Sequence, residues 1–156
     1  MGKTVESRLL ELGIKLPPLS KPQASYLSYR RYGDLVYLAG QTSSLEGVPV
    51  YTGPMQCSED IARGYEAARL CGLNLLAALS ASCEGDLDRV AGCLKLNGYV
   101  FATPSFDAVP SVVNGASDLI TELFGEIGQH ARTAVGVAVL PHLTSVEVEG
   151  IFVVKQ

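Results

Sequence analysis

The sequence predicts an α+β domain in which a β-sheet carries two helices packed on one face, and three observations carry that prediction. Two long stretches repeat apolar residues at three- and four-residue steps, the spacing that puts them on one helical stripe. The stretches around them switch to alternation by two, as strands do. The last such run is apolar on both of its faces, more than a solvated strand would show. With 156 residues the chain is long enough for one core, and it is read as a single domain, 1–156, with residues 1–25 forming a helix and arm ahead of a core at 26–156.

In order along the chain, Thr4 caps a short helix that buries Leu9, Leu10 and Leu12, and Gly13 ends it ahead of Pro17-Pro18. A polar arm follows. Tyr26–Arg31 and Asp34–Gln41 read as strands joined by a turn at Tyr32-Gly33-Asp34. Gly40, in an apolar strand end, marks a close backbone approach. Ser58 begins the clearest helix, with Ile61, Tyr65, Ala68, Gly72, Leu76 and Leu79 on one stripe, and Gly72 is expected to let it approach a sheet closely. Gly85-Asp86 closes it. Arg89–Ala102 reads as a long strand broken by Gly98, and a second helix spans about Phe106 to Phe124, with Gly125 as the stop. Arg132–Leu140 and Ser145–Val154 read as two strands around Pro141-His142-Leu143-Thr144.

In the last strand Val146, Val148, Phe152 and Val154 point one way, and Ile151 and Val153 share the other face with Glu147 and Glu149. Two helices cover one face only, so the second face is expected to meet another copy of the chain.

Composition excludes several classes of function. Net charge is −4 and no basic run exceeds Arg30-Arg31, a surface that repels a phosphate backbone, so nucleic acid is not expected as a partner. The longest apolar runs, Leu75–Leu79 and Ala134–Leu140, are too short to span a bilayer as helices, and no membrane partner is expected. Met1-Gly2 is followed by Glu6 where a lipidation signal wants Ser or Thr. Cys57, Cys71, Cys83 and Cys93 never form Cys-x-x-Cys, so no metal site is legible; they read as small core residues of a protein in a reducing, cytoplasmic compartment. Neither a phosphate-binding glycine loop nor a His-Glu-x-x-His zinc motif occurs. His130 and His142 read as loop residues before they read as bases.

Charged positions are more informative. Arg132 opens an apolar strand, where a guanidinium needs a partner. That partner is either a carboxylate such as Glu147 or Glu149 or, alternatively, the carboxylate of a ligand taken by the planar fork. The Val-Glu-Val-Glu alternation of the last strand is either a solvated face or a functional one, and Ile151 and Val153 on the same face weaken the first reading.

The segment HARTAVGVAVLPHLTSVEVEGIFVV strongly resembles the C-terminal signature of the RidA (YjgF) family, in which Arg-x-x-Val precedes Leu-Pro and a Val-Glu-Val/Ile-Glu strand. DLVYLAGQ is similar to the family's Leu-Val-Tyr-x-Ser-Gly-Gln strand, and Tyr26 stands seven positions before Gly33 as the family's tyrosine does. The N-terminal helix and the run VVNGASDLITELFGE point to a branch with a longer N-terminus. The resemblance implies a chorismate-mutase-like fold, a homotrimer with sites at subunit clefts, and hydrolysis of reactive enamines or imines to 2-oxo acids and ammonia without metal or organic cofactor. It implies that Arg132 clamps the carboxylate of a small metabolite, that Glu147 activates water, and that Tyr26 and the backbone at Gly40 orient the substrate. Ala134 stands at the substrate-contacting position where many relatives have cysteine, and Ala39 replaces the serine before Gly-Gln. The alternative reading is a non-catalytic, carboxylate-binding or chaperone-like trimer, and an endoribonuclease stands third.

A tight hairpin at Pro141–Thr144 would pair Arg132 with Val153 and Glu147 with Ala138, separating Arg132 from Glu147 by roughly 20 Å at ~3.4 Å per residue. On that register two chains must complete the site.

Overall fold

The computed structural model describes residues 3–156; Met1-Gly2, read above for a lipidation signal, lie outside them. Seven strands and three helices form: α1 (Val5–Glu11), β1 (Tyr29–Tyr32), β2 (Leu35–Thr42), β3 (Ser44–Leu45), β4 (Val48–Pro49), α2 (Ile61–Ser82), β5 (Val90–Phe101), α3 (Val109–Phe124), β6 (Ala131–Val137) and β7 (Val146–Val154). Five strands make one sheet in the order β1-β2-β7-β5-β6, and β3-β4 is a separate small ladder. The α+β reading stands, and helices α2 and α3 share one face of the sheet.

Alternation in β7 places Val146, Val148, Phe152 and Val154 in the core with Leu75, Leu76 and Leu79 of α2 and Leu119, Ile120 and Leu123 of α3. The opposite face of the sheet carries Tyr37 and Val135, both exposed, with Tyr99, Ile151 and Val153 half-covered. Cys71, Cys83 and Cys93 are buried as expected, whereas Cys57 is exposed at the turn before α2.

Four local expectations are corrected. Leu10 and Leu12, expected to be buried, are exposed, and of the three leucines only Leu9 packs against the core. Gly72 admits α3 rather than the sheet, since a Cβ there would meet Leu119 Cδ2 at 3.0 Å and Ala116 Cα at 3.4 Å. Gly98 does not break β5; its missing side chain leaves the space filled by Val113 of α3. Tyr26 precedes β1 instead of starting it, in a turn closed by Tyr26 N–H donating to Ala24 O at 2.9 Å.

The hairpin at Pro141–Thr144 is also corrected. Strand β6 pairs parallel with β5, reached through α3, and β7 pairs antiparallel with β5 on the other side. The connection is too long for a tight turn, and it includes a proline without an N–H and two left-handed residues, His142 (φ 54°) and Leu143 (φ 57°). It passes around the end of β5, where Phe101 N–H donates to Ser145 O at 2.9 Å.

Helix α1 is fastened at both ends. Thr4 Oγ1 accepts from Ser7 N–H at 3.1 Å, Asp88 Oδ1 accepts from Val5 N–H at 2.7 Å, and Arg8 Nη1 donates to Leu123 O, in the last turn of α3, at 2.9 Å. From there the arm runs along the molecule to the far end of β2.

Candidate functional site

At that end of the sheet lies a cavity of about 120 Å³, bordered by Tyr26, Gly40 and Glu147 together with Lys21, Asn74 and His142. Three of the five residues expected at the site therefore meet. A register shift in β2 between Leu38 and Gln41 puts Gly40 against β7. A Cβ on Gly40 would collide with Glu147 Oε1 and stand 3.0 Å from its Cδ. This is the close approach expected at Gly40, and its object is the Glu147 carboxyl group.

The two glutamates of β7 occupy different environments. Glu149 Oε1 accepts from Tyr99 Oη at 2.8 Å and Asn97 Nδ2 at 3.0 Å. Glu147 has no hydrogen-bond donor among the described residues and borders the cavity. Burial, and then the charge of Glu149, raise its carboxyl pKa above the ordinary value. A carboxylate denied donors and partly desolvated is a stronger base than a solvated one, and divergent environments of this kind separate a working carboxylate from a structural one.

The arm forms one wall. His142 Nε2 donates to Gln23 Oε1 at 3.0 Å, tying the arm to the β6–β7 connection, and Ser28 Oγ donates to Ser20 O at 3.5 Å. Tyr26, held between these ties, is 49% exposed. On the inner side Asn74 of α2 donates to Ser44 O at 2.7 Å and Thr42 O at 3.3 Å, fixing the chain beyond β2. Neither the arm residues nor Asn74 was legible beforehand, because polar residues in a long arm and one asparagine in an apolar helix carry no periodic signal. His142 was read as a loop residue and is one, but at the mouth of the cavity.

Arg132 and Ala134 lie elsewhere. Arg132 aligns with Leu96 of β5, a core residue on the helix side, whereas Glu147 aligns with Tyr99 on the opposite side. Two strand spacings of about 4.8 Å and three residues of about 3.3 Å put the two backbones roughly 14 Å apart. Within one protomer their side chains emerge from opposite faces of the sheet. Ala134 shares the face of Arg132 and packs against the core.

The carboxylate partner considered for Arg132 is absent among the described residues. Its guanidinium instead donates through Nη1 to Asn114 Oδ1 at 2.7 Å and Ser117 Oγ at 3.2 Å, and through Nη2 to Pro110 O at 3.3 Å, all on α3. Of its five N–H groups three are committed. The remaining two, one on Nε and one on Nη2, have no acceptor among the described residues, and Nε with Nη2 is the adjacent pair of nitrogens that can receive a carboxylate side-on. Asn114 and Ser117, three apart on an amphipathic helix, were the one signal in the sequence for these contacts.

Among the described residues no cluster of three or more His, Cys, Asp or Glu is placed to hold a metal, and no helix is long and apolar enough to cross a membrane.

Residues 6–153 match a family described as "YjgF/chorismate mutase-like, putative endoribonuclease". The chain is 43% identical over 148 residues to Protein TCP17 of Trypanosoma cruzi, covering 94% of this chain and 92% of that one. Its fold superposes on the crystal structure of Atu1372, a protein of unknown function from Agrobacterium tumefaciens, with a TM-score of 0.88, 40% identity, and coverage of 97% and 92%. The RidA of the Antarctic bacterium Psychrobacter sp. PAMC 21119 shares the fold at 23% identity and a TM-score of 0.59, covering 87% and 94%. Matched over residues 6–153 and sharing the fold of these structures, this chain belongs to the RidA/YjgF family and has its chorismate-mutase-like fold.

Proposed function

We propose that the protein hydrolyses reactive 2-imino and enamine acids to 2-oxo acids and ammonia, at a site that a second copy of the chain completes. The observation that carries this is the Glu147 carboxylate, free of donors, pressed on Gly40 and opening on a cavity beside Tyr26. Water held by Glu147 adds to C2 of the imine as its proton passes to the carboxylate. Glu147 returns that proton to the nitrogen to give the carbinolamine, and as this collapses to a carbonyl its hydroxyl proton passes by way of Glu147 to the amine, which leaves as ammonia. Proton transfer by a positioned carboxylate typically contributes 10²–10⁴-fold, sufficient for a substrate that already hydrolyses in water.

The substrate carboxylate docks on the free edge of Arg132. Because Arg132 and Glu147 emerge from opposite faces of one sheet, the arginine comes from a neighbouring protomer of a homotrimer, the assembly the family resemblance implies. The uncovered sheet face with Tyr37, Val135 and Ile151 is the surface such packing would bury. The four free thiols fit a reducing cytoplasm.

Generating 2-iminopropionate in situ with an amino-acid oxidase and trapping it with semicarbazide tests this. Wild-type protein is expected to lower the trapped fraction and Arg132→Ala to leave it unchanged. No effect from wild type across several amino-acid precursors would overturn the deaminase reading in favour of a carboxylate-binding module. The endoribonuclease in the family description meets an acidic chain here, and RNA cleavage that survives in Arg132→Ala would not belong to this site.

A further inference from the structure

His130 has no role assigned above, yet it reaches Arg132 through Ser117. His130 Nδ1 lies 2.7 Å from Gly128 O, and its Nε2 lies 3.0 Å from Ser117 Oγ. A carbonyl oxygen can only accept, so Nδ1 carries the hydrogen and Nε2 of the neutral ring accepts. The Ser117 hydroxyl hydrogen is thereby drawn to His130, which turns the lone pairs of Oγ toward Arg132 Nη1 at 3.2 Å. The order of donation is Arg132 to Ser117, Ser117 to His130, and His130 to Gly128 O.

We infer that His130 and Ser117 are positioning residues that set the plane of the Arg132 guanidinium and so the direction in which its free Nε/Nη2 edge meets a ligand carboxylate. Ser117 and Asn114 bracket Nη1, one turn apart on α3, and occupy both of its hydrogens. With Pro110 O taking one hydrogen of Nη2, rotation of the guanidinium breaks at least one contact. Without His130 the serine hydroxyl is free to turn to a carbonyl of the preceding turn of its own helix, as helical serines do, and its orientation toward Arg132 is lost. His130 and Arg132 stand two apart in extended chain, which sends both side chains toward α3. The inference rests on Arg132 as the carboxylate clamp and adds to that reading the device that aims it.

The test uses full-length protein and two readouts, turnover of 2-iminopropionate and binding of 2-oxobutanoate followed by titration. Ser117→Ala and His130→Leu are each expected to raise KM and the Kd for 2-oxobutanoate about fivefold to tenfold, with kcat within about twofold, because one hydrogen bond to a charged group is lost in ground and transition state alike. Ser117→Thr keeps the hydroxyl and His130→Gln an acceptor for it, and both are expected to restore affinity. In an Arg132→Ala background, where only the 2-oxobutanoate titration is read, neither substitution weakens the residual binding further and the thermal midpoint is unchanged, an outcome that general damage to the fold would not give. Wild-type affinity in both Ser117→Ala and His130→Leu, or a loss undiminished in the Arg132→Ala background, would overturn the inference. Absence of turnover in wild type would overturn the deaminase reading alone, and the binding series would still decide this one.

Discussion

Replacing Arg132 by lysine keeps the charge and removes the fork. The guanidinium has five N–H groups, of which Asn114 Oδ1, Ser117 Oγ and Pro110 O take three, leaving an Nε/Nη2 edge for a ligand. An ammonium has three. The same three acceptors, with distances of 2.7 to 3.3 Å in the native arrangement, can absorb all of them, and nothing planar remains for a carboxylate. The loss is that of a charge-assisted pair, about 1.5–3 kcal/mol, or roughly 10- to 150-fold in affinity. Arg132→Lys is therefore expected to bind 2-oxobutanoate nearly as poorly as Arg132→Ala, while its thermal midpoint stays close to wild type because the helix contacts are retained. Titration of both variants beside wild type reads the difference. An Arg132→Lys protein within about threefold of wild-type affinity would refute the donor count, because charge alone would then suffice.

Two further substitutions probe the Glu147 end. In Gly40→Ala the new methyl group occupies the place of the Glu147 carboxyl group, whose Cδ lies 3.0 Å from the Cβ position, so kcat is expected to fall at least tenfold, with the fold intact by circular dichroism. Unchanged turnover in Gly40→Ala would show that the carboxylate position is not critical. For Glu147→Gln the sign follows from the raised pKa: the fold favours the neutral acid, so that contribution to stability is present below the ordinary value of 4.5 and is lost as pH rises through the raised one. Glu147→Gln is expected to be inactive yet more thermostable than wild type at pH 7, with the gap closing below about pH 4.5, as read by thermal melts across pH. A variant less stable than wild type at pH 7 would contradict the desolvated carboxylate.

The elements were legible wherever a period ran long enough to decide. Helices α2 and α3, strands β2, β5 and β7, and the two faces of β7 all follow from spacing, because each buries one face against a common core. Gly40 was legible as a close approach, and its partner followed once β7 lay beside β2. Strand order was harder. Sequence neighbours β6 and β7 look like a hairpin, but α3 carries β6 to the outer edge of β5, and β7 returns to the middle of the sheet. Without that hairpin, the proposal of a two-chain site is supported by the opposite sheet faces of Arg132 and Glu147 instead of by distance along a ladder. The neighbours of Arg132 escaped notice because the three-residue spacing of Asn114 and Ser117 marks a shared face of α3 but not what that face meets, and His130 reaches Arg132 only through Ser117.

The central claim is that one site takes Arg132 from one copy and Glu147 from another. Co-expressing Arg132→Ala with Glu147→Gln, each inactive alone, tests it directly. On the proposed reading each site of a mixed trimer would draw its two residues from different chains, so random assembly would restore about a quarter of the sites to the native pair. Turnover of 2-iminopropionate near that fraction of the wild-type rate is the predicted result. A co-expressed mixture as inactive as its two parents, beside an active wild type, would contradict it.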